Sequence, residues 1–465
     1  MVQFEQRFPP FAAKMKAEHL PEIAIENFKQ YYRQLVAGET GYLPESNITA
    51  IQSLPDADEF DDKLAEVGRS AIPRTVMLKL NGGLGTGMGM RKAKSLLTVK
   101  GELNFLDSIA LQSIQIGIPL ILMNSFSTRE DSLAVLSGRP ELNQDLPFDF
   151  LQHKVPKVNR SDLSPAEFPD NPELEWCPPG HGDIYTALIT SGALQLLLEN
   201  DYRYAFVSNA DNLGAFLDAS ILGYFVDAGA EFMMEAADRT EADKKGGHLA
   251  RAADADHRLI LRESAQCTEA DAGYFQDIAR HCYFNTNNLW IDLRALWGLM
   301  DDGTRAPELP LIRNLKTVDP ADSTSTHVYQ LETAMGAAIS VFAESRAIRV
   351  PRSRFAPVKT CEDLLVVRSD ATVLTDDYRI VPHPSRNDTL PVVSLDHRYY
   401  RVIQDLEERF PEGPPSLVHC DSLSIEGDVR FGREAVLKGK VSLRNGTSHQ
   451  QVVPDGKVIE GTFSW

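Results

Sequence analysis

Cysteine is scarce. Five stand in 465 residues, at Cys177, Cys267, Cys282, Cys361 and Cys420, scattered and without a C-x-x-C spacing. Neither a disulfide framework nor a thiolate zinc site is predicted, and a reducing compartment fits best. Long apolar runs are missing too. The longest, near Ile118–Met123, is about a third of what a bilayer span needs. The first residues, Met-Val-Gln-Phe-Glu-Gln-Arg, interleave charge and carry no apolar h-region, so no secretory signal is expected. The expected protein is soluble and cytoplasmic, with no membrane partner. Positive charge is the third shortage: 47 Lys+Arg against 66 Asp+Glu leave a net charge of −19, which argues against nucleic acid or an anionic surface as a partner. If the protein handles anionic small molecules, it must gather cations locally.

What is present is ordinary globular usage, 43% hydrophobic and 24% charged, which excludes disordered and collagenous chains. The length predicts two or three domains. Residues 1–70 read as a helical lead-in, with Phe11, Met15, Ile25, Phe28, Tyr32 and Leu35 at helical spacing. Within it, the acidic stretch Pro55–Glu66 reads as a solvated face or linker. From about 71 to 375, short apolar runs (Thr75–Leu80, Pro119–Met123, Tyr204–Ser208, Glu231–Glu235) alternate with amphipathic stretches such as Tyr185–Leu198. That alternation predicts an α/β domain with a mostly parallel, buried sheet. Residues 376–465 are expected to form a linker and an all-β domain. There Ile425, Val429, Val436, Val441 and Leu443 alternate with glycines at a spacing that suggests a small β-helix.

The strongest local signal lies at residues 78–95. A strand runs into Asn81-Gly82-Gly83-Leu84-Gly85-Thr86-Gly87-Met88-Gly89, five glycines in eight residues, followed by Arg91, Lys92, Lys94 and Lys100. Glycines let backbone N–H groups approach a phosphate chain, and the cations neutralise it. Two common phosphate motifs fail here. A P-loop would need glycine where Met88 and Ala93 stand, and no G-x-G-x-x-G can be placed in the loop. A flexible surface loop beside a basic patch is the plainer alternative.

Leu80–Thr86 with Lys94-Ser95 resembles the signature of the UDP-glucose pyrophosphorylase (UTP–glucose-1-phosphate uridylyltransferase) family of the long-chain, eukaryotic-like type. The likeness continues in order through Met123–Phe126, Trp176–Asp183, Phe206–Gly214, Phe284–Trp290, Gln330–Ala334 and Val350–Thr360. It implies a nucleotidyltransferase-type, Rossmann-like mixed sheet flanked by helices and a C-terminal left-handed β-helix-like domain. The implied activity is Mg2+-dependent direct transfer of UMP from UTP to glucose 1-phosphate; a related uridylyltransferase with another or broader sugar-1-phosphate range is the alternative. Relatives acting on hexosamine carry Gly-Gly-Gln-Gly-Thr-Arg where this chain has Gly82–Gly87.

The resemblance also assigns roles. Leu80, Asn81, Gly82, Gly83 and Gln152 would read the base, and Gly180 and His181 would meet the nucleotide and sugar phosphates. Asp211 would hold Mg2+, with Asn209 and Ala210 beside it at the substrate. Asn287 and Glu332 would bind sugar hydroxyls, with Thr286 and Asn288 sharing that work. Lys94 and Lys359 would be the catalytic cations, while Arg352 and Arg354 read as structural. In one departure, Lys92-Ala93 stands where the family has Gly-Pro. A homo-oligomer built through the C-terminal domain is a further expectation.

Overall fold

The structure, a computed structural model, describes residues 2–139, 141–142, 145–387 and 389–465. Met1, where the expected helical lead-in begins, lies outside them. Helices Pro9–Ala17 and Glu22–Val36 bury Phe11, Met15, Ile25, Phe28, Tyr32 and Leu35. Phe11 and Tyr32 meet at 4.6 Å between ring centroids. This face packs on Val155, Leu311 and Leu331, so the lead-in is fastened to the α/β body.

The acidic stretch is more than a linker. Asp61 caps a helix, Asp62–Ala71, by accepting from Leu64 N at 3.0 Å. The helix crosses Ala219–Asp227 at Gly68 and Gly223, where a Cβ would lie 1.7 Å from the carbonyl oxygens of Ala219 and Leu64 respectively. Its charged side chains Asp62, Lys63 and Glu66 still face water.

A 10-stranded sheet forms the centre. Asp149–Leu151, Leu120–Asn124, Thr75–Asn81 and Tyr204–Asn209 run parallel in that order. They read as continuous apolar runs because both faces are covered. Met77, Leu120, Leu122 and Phe206 pack on one face with Leu106, Ile109, Leu222 and Phe225 from helices. Val76, Leu78, Ile121 and Val207 face Ile184, Leu188, Leu194 and Leu296 on the other. Beyond Tyr204–Asn209 the sheet turns mixed, because Tyr283–Asp292 runs antiparallel to it and to Phe232–Asp238. The excursion between those two strands carries a hairpin, His248–Ala252 with Leu259–Arg262, and parallel pairing returns only where Phe232–Asp238 meets Ser345–Arg349, so the expectation of a mostly parallel sheet holds in part. The stretch 185–198 is broken into Ile184–Thr190 and Ala193–Glu199 at Gly192, whose φ is +76°.

The tail is built of parallel ladders. Val392–Leu395, Ser416–Glu426, Val436–Arg444 and Val458–Ser464 stack in one sheet, and Val429–Phe431 pairs with Gln451–Val453 in another. Leu423 is paired with Val441 and Ile425 with Leu443. These residues close a core that continues into Met88, Leu97, Leu213 and Val358 of the α/β body. The parallel coils give the β-helix-like tail its form. Among the described residues, no helix is long and apolar enough to cross a membrane.

Candidate active site

The carboxyl ends of the parallel strands open into a cleft of about 340 Å³, where open α/β sheets take their ligands. The register sets its walls: Leu80 stands opposite Met123 and Asn209, and Asn124 opposite Leu151. The next residues along, Gly82, Gln152 and Ala210-Asp211, therefore emerge side by side. Of the residues expected at the site, the cleft is lined by Leu80, Asn81, Gly82, Gly83, Lys94, Gln152, Gly180, His181, Asn209, Ala210 and Asp211.

The glycine loop folds back on itself. Gly83 O accepts from Lys94 N at 3.0 Å. Gly85 and Gly89 lie at φ +64° and +76°, a region side chains avoid, and a Cβ on Gly85 would press on Met90 and Lys94. Lys94 Nζ then donates to Asp211 Oδ2 at 2.6 Å. Arg91 and Lys92 are exposed and do not line the cleft, so of the expected cluster only Lys94 reaches inside. Ala93 is buried with φ −53°. That angle lies in the range a proline ring imposes, so Ala93 holds a φ that a proline would also adopt.

Asn81 offers only its backbone to the cleft, since its side chain donates inward to Asn124 Oδ1 and Ser132 Oγ, each at 2.8 Å. Gln152 Nε2 donates to Gly180 O at 3.0 Å. Gly180 lies at φ +80°, and a Cβ there would stand 2.3 Å from Thr333 O. Thr333 in turn zips this loop down: its N donates to Pro179 O and its O accepts from Gly182 N, both at 2.9 Å. His181 Nδ1 accepts from Met335 N at 2.9 Å. Burial pushes its pKa down to about 4. The ring is then neutral near pH 7 and carries its hydrogen on Nε2, as a donor.

Asp211 sits in a loop braced from below and behind. Its O accepts from Val358 N at 3.1 Å. Asn212 donates to Asn288 Oδ1 and Arg354 O and accepts from Gly214 N and Ala356 N. Lys79 is fully buried under the loop and donates to Ser208 Oγ at 2.6 Å and Ala215 O at 2.8 Å. Burial, with the Arg354 charge nearby, pushes its pKa down to about 7.

Five expected residues, Thr286, Asn287, Asn288, Glu332 and Lys359, do not line this cleft. Asn287 holds a left-handed φ of +60° beside a bulge in the strand pairing, with its N and side chain bonded to Asn285 at 2.8 Å. Glu332 ends the strand His327–Glu332, with Cβ 3.2 Å from where a Gly180 Cβ would lie; burial raises its carboxyl pKa against a hydrogen bond from Asn314. Lys359 is exposed, its Nζ 5.9 Å from the Phe355 ring centroid. Thr286 and Asn288 are buried and bonded to Glu235, at 2.7 and 3.0 Å. These bonds tie them to the neighbouring strand. Arg354 forks onto Glu235 with two bonds of 2.7 Å, and Arg352 pairs with Asp243. Both arginines are taken up in ion pairs.

Ser95, Met123 and Pro178 also line the cleft and were not foreseen. Met123 could have been found from its place at the carboxyl end of a parallel strand. Ser95 Oγ is buried without a hydrogen-bond partner, which no sequence pattern reveals.

The family described as UTP--glucose-1-phosphate uridylyltransferase matches residues 25–438. The UTP--glucose-1-phosphate uridylyltransferase of Solanum tuberosum is 38% identical over 412 residues, 86% of this chain and 84% of that protein. The enzyme of the same description from Encephalitozoon cuniculi is 36% identical over 443 residues, 93% of this chain and 85% of that protein. Among solved structures, a variant of the UDP-glucose pyrophosphorylase from Leishmania major in complex with UDP-glucose superposes with a TM-score of 0.90 at 44% identity over 99% of both chains. A UDP-glucose phosphorylase from Trypanosoma brucei superposes with a TM-score of 0.85 at 44% identity, covering 99% of this chain and 100% of that one.

Proposed function

The chain belongs to the UTP–glucose-1-phosphate uridylyltransferase family, and from that premise we propose that this cleft joins UTP and glucose 1-phosphate into UDP-glucose, releasing pyrophosphate reversibly. The observation that carries the assignment is the pairing of Lys94 with Asp211 between the Leu80–Gly83 backbone and the Gly180-His181 turn. It puts one cation and one carboxylate where a nucleotide's phosphates would meet a glycine-lined wall.

In the reaction, a phosphate oxygen of glucose 1-phosphate attacks the α-phosphorus of UTP. A new O–P bond forms as the bond to the β-phosphate oxygen breaks, and pyrophosphate leaves in line with its electron pair. The nucleophile is already an anion, so the protein needs no covalent intermediate and no general base. Its work is positioning and charge neutralisation. Lys94 leaves Asp211 for the departing pyrophosphate, and the Nε2–H of neutral His181 donates to a phosphate oxygen. Leu80–Gly83 and Gln152 match the edge of uracil. Asn287 and Glu332, outside the cleft lining in the free protein, would take the sugar hydroxyls, and Lys359 would close toward the phosphoryl groups.

Asp211 would hold the divalent cation, Mg2+. Among the described residues there is no group of three or more His, Cys, Asp or Glu that could cage a metal. A single carboxylate suits an ion that arrives on substrate phosphates and keeps its remaining ligands as water and phosphate oxygen. When bound, the ion neutralises negative charge on the phosphates. We assign the protein to the cytoplasm, divide it near residues 70 and 375, and leave the tail coils as the surface through which copies would associate.

A panel of sugar 1-phosphates with UTP and Mg2+, read by pyrophosphate release, tests the reading. Glucose 1-phosphate should be the best acceptor. A preference for an N-acetylhexosamine 1-phosphate would replace the assignment with that of a related uridylyltransferase.

A further inference from the structure

Asp183 is nearly fully buried, and it does not line the cleft. Asp183 nevertheless ties together two pieces of the cleft wall from distant parts of the chain, its carboxylate holding His153 and its backbone N holding Gly180 O. Oδ2 accepts from the backbone N of His153 at 2.7 Å. The His153 ring lies against the same carboxylate, with Nδ1 at 3.0 Å from Oδ1 and 3.1 Å from Oδ2. Its other nitrogen, Nε2, is 3.0 Å from Thr190 Oγ1 at the far end of helix Ile184–Thr190. His153 is therefore clamped at both ring nitrogens by the helical segment that Asp183 begins.

The clamp closes a ring through the neighbouring residue. Asp183 N donates to Gly180 O at 3.2 Å, and the same oxygen accepts from Gln152 Nε2 at 3.0 Å. A carbonyl oxygen only accepts, so Gly180 selects the NH2 end of the Gln152 amide. The opposite end, Oε1, is turned toward Gly82, at 3.0 Å from where a Cβ on that glycine would stand. Gln152 then presents an acceptor beside the glycine wall. Uracil offers an N3–H to such an acceptor; cytosine offers a bare lone pair at N3 and is repelled.

We infer that Asp183 is a positioning residue for base selection: by holding His153 and the Gly180 turn together, it fixes which end of the Gln152 amide meets the base. The inference rests on the uridylyltransferase reading of the cleft. A buried carboxylate that accepts several N–H groups is costly to remove because each donor is left unpaired. Here the groups left unpaired are the backbone N and ring of His153, the residue that follows Gln152.

The test is the ratio of kcat/KM for UTP to that for CTP, with glucose 1-phosphate as acceptor, in the full-length protein and in Asp183→Ala and Asp183→Asn. Asp183→Ala should lower the ratio by about 10-fold to 100-fold, the scale of one misplaced buried hydrogen bond. Asp183→Asn keeps the shape and one accepting oxygen, and should lower it by about 3-fold to 10-fold. A carboxylate that served stability alone would shift the melting temperature and leave the ratio where it was. The wild-type ratio in a folded Asp183→Ala protein overturns the inference; if that variant does not fold, the isosteric Asp183→Asn decides by the same criterion. Failure of the wild-type protein to use UTP would instead count against the functional reading of the cleft.

Discussion

Lys94 Nζ donates to Asp211 Oδ2 across 2.6 Å, joining residues 117 apart in sequence at the centre of the cleft. In the free protein each masks the other's charge; the proposed reaction would separate them, phosphate taking the lysine and a divalent cation the carboxylate. Lys94→Ala should therefore lower kcat by about 10²–10³-fold, the range for one removed charge stabiliser. Steady-state pyrophosphate release at saturating substrates measures it. Turnover within a few-fold of wild type would remove Lys94 from the reaction.

Asp211→Asn keeps the side chain's size but removes its charge. Activation by Mg2+ should weaken, with the half-saturating Mg2+ concentration moving upward by about tenfold or more, the worth of one charge-assisted contact. An unchanged Mg2+ titration would show that the ion is held by the substrates alone.

His181 links the cleft to pH. Its folded pKa of about 4 lies below the unfolded 6.5. The unfolded chain therefore takes up a proton first as pH falls, and the stability that the neutral ring contributes is complete above about 6.5 and lost by about 4. The loss amounts to at most about 3 kcal/mol, since each pKa unit is worth 1.36 kcal/mol. Urea unfolding at pH 7 and pH 4.5 should show a smaller acid loss in His181→Gln than in wild type. Equal losses would place the ring in a solvated setting.

The crossing of helices Asp62–Ala71 and Ala219–Asp227 leaves no room for a methyl group. Gly68→Ala or Gly223→Ala should cost about 1–3 kcal/mol or more, the usual penalty for overpacking. Differential scanning fluorimetry would show a lower melting temperature. A melting curve equal to wild type would mean the helices can part freely.

Arg354 and Glu235 form a buried fork that Trp290 Nε1 and Asn288 also join. Arg354→Met should destabilise the fold by about 3–5 kcal/mol by stranding the carboxylate. In protein that still folds, KM for glucose 1-phosphate and UTP should change little. A large rise in either KM with stability intact would make Arg354 a substrate residue.

The glycine loop was legible because it is local, whereas its pairing with Asp211 joins segments 117 residues apart. A strand, five glycines and Lys94 lie within one stretch of chain, and Asp211 follows the next strand of the same sheet. Contacts between distant segments were not legible. The helix Asp62–Ala71 reads as an acidic linker because the residue it packs on, Gly223, lies more than 150 residues away. Tyr185–Leu198 looked like one helix because apolar spacing carries across Gly192 without showing its left-handed φ. Lys359 and Asn287 were assigned through family likeness. Next to Lys359, Val358 N is bound to Asp211 O, while the Lys359 side chain is exposed and does not line the cleft.

Direct transfer in this cleft is the central claim, and the stereochemical course at phosphorus tests it most directly. With UTP carrying a sulfur of known configuration at the α-phosphate, and glucose 1-phosphate as acceptor, one in-line displacement should give UDP-glucose with that centre inverted. Retention would mean two displacements through a uridylyl-enzyme and would contradict the account.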